Sequence, residues 1–428
     1  MITRLLRKIK TRVIYHLRVL FPSFSGGCLL SSSFAISWVL SSFSGYGIYG
    51  LQILLQYLRR GGDPNAFILT NKPVGVMLPP LEQEKIASCL GLADKISAVL
   101  KQNPKELLRF NHPVLHGCSS NFSGFLGQDR VWGAPNVGCA AIEHLFITDH
   151  GRRIAKNYDM FIAISRWNAD FLKSLDVGSV HLCYQGIDPT LFHPAPGSGL
   201  YRNRFVVFSG GKFEYRKAQD LVVAAFKRFH ATHSDALLVA CWQALAKPDA
   251  EAFSKAGLVD GIPEERADKG GLQITPWLLK QGLPPGSFVD LPFTHNMLMP
   301  MVLRDCDMAV FPNRCEGGTN LVAMEAMACG VPTYVSYNTG QKDLVDLIGC
   351  EAFRTQREVR PSMAMATVQD WGESDVDEIV MAMETVYNAR EEARRKAASV
   401  ASRVASDWAW SGLNDRLLDV VEAPVVRT

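Results

Sequence analysis

Strands and helices alternate along this chain, and the sequence predicts an α/β protein of two Rossmann-like domains facing across a cleft, with ligands at the carboxyl ends of the strands. Three observations predict it. Short apolar runs end in glycine-bearing turns that open helices at SWVLSSFSGYG, VVFSGGK and AVFPNRCEGGTN. The length, 428 residues, suits two cores better than one. A Pro-Ala-Pro-Gly-Ser-Gly run at 194–199 reads as a linker between them. The expected layout is a basic leader over 1–33, an N-terminal domain over 34–196, a C-terminal domain over 197–404 and a tail helix over 405–428.

The leader has a charge pattern of its own. No Asp or Glu precedes Asp63, while Arg4, Arg7, Lys8, Lys10, Arg12 and Arg18 crowd the first turns. Ile2, Leu5, Leu6, Ile9, Val13, Leu17 and Leu20 recur at helical spacing. Two readings stay open: a helix lying on an anionic membrane surface, and a helix packed on its own domain. The apolar stretch is too broken to span a bilayer.

In the first domain, Phe34–Leu40 reads as a core strand, followed by a glycine trio and the helix LQILLQYLRR. AFIL supplies another strand, and Lys72–Pro79 with Leu81–Leu100 continues the alternation. His112–His116 reads as a strand ending in a histidine, Asn136–Ile142 as a strand leading to Glu143, and Tyr158–Ser165 as a strand whose last serine caps a helix. In the second domain Arg204–Ser209, Ala236–Trp242 and Phe288–Leu291 are strands, and His295–Arg304 is a helix.

The stretch FPNRCEGGTNLVAMEAMACGVP carries the most information. The run Met308–Phe311 is a buried strand, Thr319 and Asn320 can cap a helix beginning at Leu321, and Gly330 suits its C-terminus. A helix N-terminus at a sheet's carboxyl edge offers free N–H groups to an anion, most often a phosphate. Lys212 and Lys217 can converge on such an anion. Asp305-Cys306-Asp307 precedes a strand rather than following one, so a metal-binding role is rejected. The ten cysteines show no zinc or redox spacing and read as core residues of a reducing compartment. The net charge of +3 argues neither for nor against nucleic acid.

With its two glutamates, glycine turn and helix ending ACGVP, this stretch resembles the nucleotide-sugar signature of retaining GT-B glycosyltransferases of the family 4 type. QGIDPTLFHP and GGKFEYRKAQD are similar to further segments of that family. The resemblance implies a metal-independent hexosyltransferase without cofactor, acting in glycan, polysaccharide or glycolipid synthesis. It would take a UDP- or GDP-sugar as co-substrate and a glycan, lipid-linked or other hydroxyl as acceptor, with no nucleic acid. It further implies that Glu325 holds the ribose and that Gly317, Gly318, Thr319, Asn320, Leu321 and Val322 surround the diphosphate. Lys212 and Lys217 would clamp that diphosphate, with lysine where the family commonly has arginine. Glu316 would lie near the donor sugar, although one residue more than usual separates it from Glu325. Gly45 and Gly47 would form the facing cleft loop, His116 would contact the reacting sugar and Glu143 would bind acceptor. The last helix would cross back to the first domain. The expected location is cytoplasmic, on the membrane face if the leader docks there. A sugar-nucleotide epimerase and a non-catalytic nucleotide-sugar binding protein remain alternatives.

Overall fold

The computed structural model describes residues 34–102, 108–122, 131–245, 248–268, 270–359, 362 and 367–423. The basic leader expected over 1–33 lies outside the described residues.

Two six-stranded sheets organise the chain. The first contains β1 (Phe34–Ile36), β2 (Phe67–Leu69), β3 (Val114–Cys118), β4 (Asn136–Ala140), β5 (Met160–Ala163) and β6 (Ser179–Leu182). Its order is β2-β1-β3-β4-β5-β6, every pair parallel. The second contains β7 (Phe205–Gly210), β8 (Ala236–Cys241), β9 (Phe288–Asp290), β10 (Met308–Phe311), β11 (Thr333–Ser336) and β12 (Glu351–Phe353). Its order is β9-β8-β7-β10-β11-β12, again all parallel. Strands such as VVF and MAVF are apolar on both faces because helices cover both faces of a parallel sheet. In each sheet the strand order reverses once, beside β1 in the first and beside β7 in the second. Such a reversal opens a crevice at the carboxyl edge.

The helices that matter for the crevice are α1 (Gly45–Arg59), α2 (Pro80–Gln102), α3 (Arg166–Lys173), α4 (Gln219–Thr232) and α5 (Leu321–Ala328). Ser44 caps α1 by accepting from the Gly47 N–H, and Ser165 caps α3 by accepting from the Asn168 N–H. The chain then forms α6 (Val376–Asn388), α7 (Arg390–Asp407) and α8 (Trp410–Glu422). The last of these crosses back to the first domain. Trp410 stacks on Tyr49 with ring centroids 5.8 Å apart, Gln56 donates to Asp415 at 2.8 Å and Arg60 pairs with Asp419 at 2.9 Å. Where the crossing begins, Ile187 N–H donates to Trp408 C=O and Trp410 N–H to Ile187 C=O, both at 2.9 Å.

Three local expectations change. Lys72–Pro79 is a loop, because its Gly75 takes a left-handed φ of 56° and Val74 stands out in solvent. The first strand stops at Ile36, where Trp38 turns aside to donate from Nε1 to Tyr46 C=O. The strand around His116 begins and ends two residues later than its apolar run suggests, which moves the histidine from the strand end to its middle.

Candidate active site

Two loops meet at the switch point of the second sheet. One leaves β7 through Gly211, whose φ of 121° needs a glycine, and ends in a 3-10 turn over Tyr215–Lys217. The other leaves β10 and runs to the start of α5. The Arg216 C=O accepts from the N–H groups of Arg314, at 2.7 Å, and Cys315, at 3.3 Å. That backbone clasp places the side chains of Arg216, Lys217 and Glu316 together.

A buried ion pair sits beneath the clasp. Arg314 is fully buried, grips Asp220 with both terminal nitrogens at 2.8 and 2.7 Å, and reaches Glu373 at 2.7 Å. It also donates to Tyr215 C=O at 2.9 Å and lies 4.0 Å from the Tyr215 ring centroid. A buried charge satisfied in this way fixes loop geometry.

The second charge cluster opens toward the cleft. Arg216 contacts three carboxylates: Glu143 through Nε at 3.0 Å, Glu214 through Nη2 at 2.8 Å and Glu316 through Nη1 at 3.0 Å. Lys217 pairs with the other oxygen of Glu316, which also accepts from Asn313. Burial alone would raise the Glu316 carboxyl, but Lys217 and then Arg216 outweigh it and hold it below the usual carboxylate range. Glu143 comes from the loop after β4 in the first domain. Burial pushes its carboxyl up against the pull of Arg216, while 30% of its side chain stays exposed to solvent. Burial pushes the Lys217 ammonium down, with Glu316 opposing.

Beside this cluster, Asn320 caps α5 by accepting from the Ala323 N–H, its own φ being 78°. Leu321 and Val322 open the helix, so their N–H groups have no partner within it. Across from them the start of α1 approaches, and a Cβ on Gly45 would lie 3.8 Å from a Leu321 methyl. Two helix N-termini from two domains thus converge, a geometry that favours an anion between them. Gly47 faces the other way, packed so tightly on Ser41 that a Cβ would meet its Oγ at 2.2 Å. Glu325, one turn into α5, is buried and accepts from Asn296 Nδ2 at 2.5 Å. Burial, opposed by that hydrogen bond, pushes its carboxyl up to about 8. Asn296 in turn donates its N–H to Ser42 C=O of the first domain at 2.9 Å.

The glycines of the loop serve the contact between domains. A Cβ on Gly317 would lie 2.8 Å from the Ala141 carbonyl carbon, and one on Gly318 would lie 2.9 Å from Ile164. Ser165 Oγ donates to Gly317 C=O at 2.7 Å. Nearby, Trp371 Nε1 donates to Glu143 C=O at 2.9 Å and His144 Nδ1–H to Thr367 C=O at 2.7 Å. Thr319 is buried and donates to the Met324 sulfur at 3.2 Å.

Two further sequence-derived site residues stand elsewhere than expected. His116 is fully enclosed in the first sheet, with Ser37 Oγ 2.7 Å from Nδ1 and Asn136 Oδ1 2.6 Å from Nε2. Burial, against the Asn136 hydrogen bond, lowers it to about 4, so it is a neutral core histidine with no ring nitrogen left for a sugar. Lys212 lies outside the buried cluster; 57% of its side chain is exposed, and its carboxylate neighbour is Glu214 at 3.8 Å. Sequence reasoning missed Arg216 and Asn296. The pair Arg216-Lys217 immediately before a helix was the available signal for the first. Asp305 and Asp307 act on the backbone, receiving Gly199 N–H at 3.1 Å and Val206 N–H at 2.9 Å.

A family model described as "Family 4 Glycosyltransferase in conflict systems" matches residues 203–417, half of the chain. The comparison with curated proteins gave no match. Among solved structures, sucrose-phosphate synthase from Thermosynechococcus elongatus is similar with a TM-score of 0.57 at 16% identity, covering 91% of this chain and 98% of the other. Anabaena HepE, solved in complex with UDP-glucose, gives 0.56 at 14% identity over 91% and 98%. The trehalose-6-phosphate synthase OtsA gives 0.57 at 12% identity over 92% and 100%. At these identities the likeness is one of fold, two Rossmann-like domains in the GT-B arrangement.

Proposed function

The chain belongs to the family 4 glycosyltransferases in conflict systems, and on that premise we propose that it moves a sugar from a UDP-sugar to a hydroxyl of a glycan or lipid-linked acceptor with retention. One observation carries the reading. Lys217, paired with Glu316 next to Arg216, lies against Gly211, whose neighbour Gly210 abuts Val322 in the first turn of α5, and the start of α1 meets Leu321; a diphosphate leaving group would gather its charge there. HepE, of the same fold, was solved with UDP-glucose, which supports a uridine donor.

In this proposal the Leu321 and Val322 amides and Lys217 hold the diphosphate, and Lys212 swings in from solvent. Glu325 accepts from the ribose hydroxyls in place of Asn296, and Glu316 sits near the donor sugar with its charge fixed by Lys217. The acceptor hydroxyl attacks from the face the diphosphate leaves, and a phosphate oxygen takes its proton. Glu143 binds the acceptor. No step needs a metal. Among the described residues no helix is long and apolar enough to cross a membrane.

Thermal shift with UDP, GDP, ADP and their sugars, followed by donor-hydrolysis and transfer assays, tests the reading. UDP and a UDP-sugar should raise Tm, and the sugar nucleotide should be slowly hydrolysed. Stabilisation by none of these ligands would overturn it. Interconversion of sugar nucleotides without acceptor would replace it with an epimerase.

A further inference from the structure

Without the outer Lys212, the cleft cluster sets three carboxylates against two cations, at the place where a diphosphate must enter. Its charged groups come from three elements. The loop after β7 supplies Glu214, Arg216 and Lys217, with Lys212 on its outer side; the loop after β10 supplies Glu316; the loop after β4 supplies Glu143. Two inner cations face three carboxylates. Each of the three nitrogens of the Arg216 guanidinium already meets a carboxylate, so a phosphate oxygen that approaches it competes with those carboxylates for its five N–H groups.

The three carboxylates are not held equally. Glu316 keeps Lys217 and Asn313 if Arg216 leaves it. Glu214 keeps Lys212 as a neighbour at 3.8 Å. Glu143 has no other ion-pair partner among the described residues, and it alone belongs to the first domain. It is the carboxylate a diphosphate displaces at least cost. Its backbone stays in place during that exchange, because Trp371 Nε1 holds Glu143 C=O and Thr367 C=O holds His144. Only the side chain needs to turn.

We propose that Arg216 is a positioning residue with two successive partners: in the empty cleft it restrains the Glu143 carboxylate, and a bound diphosphate takes it over and frees that carboxylate for the acceptor hydroxyl. Donor then binds before acceptor. This rests on the donor reading above and adds to it an order of binding and a residue that enforces the order. Glu143 and diphosphate compete for one guanidinium, so each lowers the other's hold on it by the same factor.

The competition has a sign that a merely structural role would not produce. In calorimetric titration of the full chain, Glu143→Gln should bind UDP, and inorganic pyrophosphate, about five- to tenfold more tightly than wild type. Arg216→Gln should bind both more weakly, and Arg216→Lys should recover part of the loss. Glu143→Ala should share the sign of Glu143→Gln, and the Tm of each variant reports that it is folded. With wild type, UDP should compete with donor but act noncompetitively against acceptor. Unchanged or weakened binding of UDP and pyrophosphate by both Glu143 variants would overturn the exchange and leave the donor reading standing. Failure of wild type to bind either probe would overturn the donor reading, and the exchange with it.

Discussion

Arg314 and Arg216 are two guanidinium groups on two touching loops, with opposite situations. Arg314 is sealed, its nitrogens divided among Asp220, Glu373 and a carbonyl, with the Tyr215 ring against its face. Arg216 holds three carboxylates to the two of Arg314, but one comes from another domain and the group keeps 13% of its side-chain surface exposed. A sealed pair specifies shape, since nothing can enter and breaking it strands a charge. An open cluster, in which one guanidinium holds three carboxylates, can exchange partners. The difference is one of setting: Arg314 is closed in by its partners, and Arg216 stands at the seam between the domains.

The comparison can be broken most forcefully at the sealed site. Arg314→Leu strands Asp220 in the interior and should cost about 3–5 kcal/mol of stability by denaturant unfolding. Arg216→Gln, at the open site, should cost clearly less, while abolishing most transfer. Equal losses of stability would erase the distinction.

Lys217→Ala ranks next. It removes a charge-assisted contact worth about 1.5–3 kcal/mol, so nucleoside diphosphate binding should weaken roughly ten- to hundredfold while nucleoside binding changes little. Lys212→Ala should have a smaller effect in the same direction, because that side chain is largely in solvent before ligand arrives. A larger effect at Lys212 would show that the outer lysine, and not the buried pair, carries the diphosphate.

The smallest effect concerns Glu325, a carboxyl with no ion-pair partner among the described residues. Its folded value of about 8 lies above the ordinary carboxylate range, so the folded state binds the extra proton between about pH 4 and pH 8. Its contribution therefore favours folding at low pH, weakens as pH rises through that window, and stays lost above it. Glu325→Gln should flatten this part of the stability profile and raise Tm relative to wild type near pH 9. It should also cost about 1–3 kcal/mol of affinity for ligands bearing ribose hydroxyls, and almost none for pyrophosphate. An unchanged pH profile would show that the carboxyl is already ionised in the empty protein.

Much of this molecule was legible in one dimension. Met308–Phe311 forms a strand at the expected residues, and α5 begins at Leu321 as its cap predicts. Apolar runs, caps and glycine turns act between neighbours a few residues apart, so the sequence alone determined the alternation, the two-sheet architecture and the loop that carries Glu316 and Glu325. The adjacency of Arg216 and Lys217 was visible as well, without its meaning.

Tertiary structure alone decided which charges meet. Glu143 and Arg216 lie 73 positions apart and belong to different sheets, so no local periodicity links them. His116 looked available because its run ends in a polar loop, but pairing of β3 with β4 set the register that buries it against Asn136. Gly317 and Gly318 read as a phosphate cradle, whereas packing shows that their missing side chains admit the first domain's Ala141 and Ile164. Burial and charge pairing are sums over neighbours brought in from distant parts of the chain, and only the folded protein supplies those neighbours.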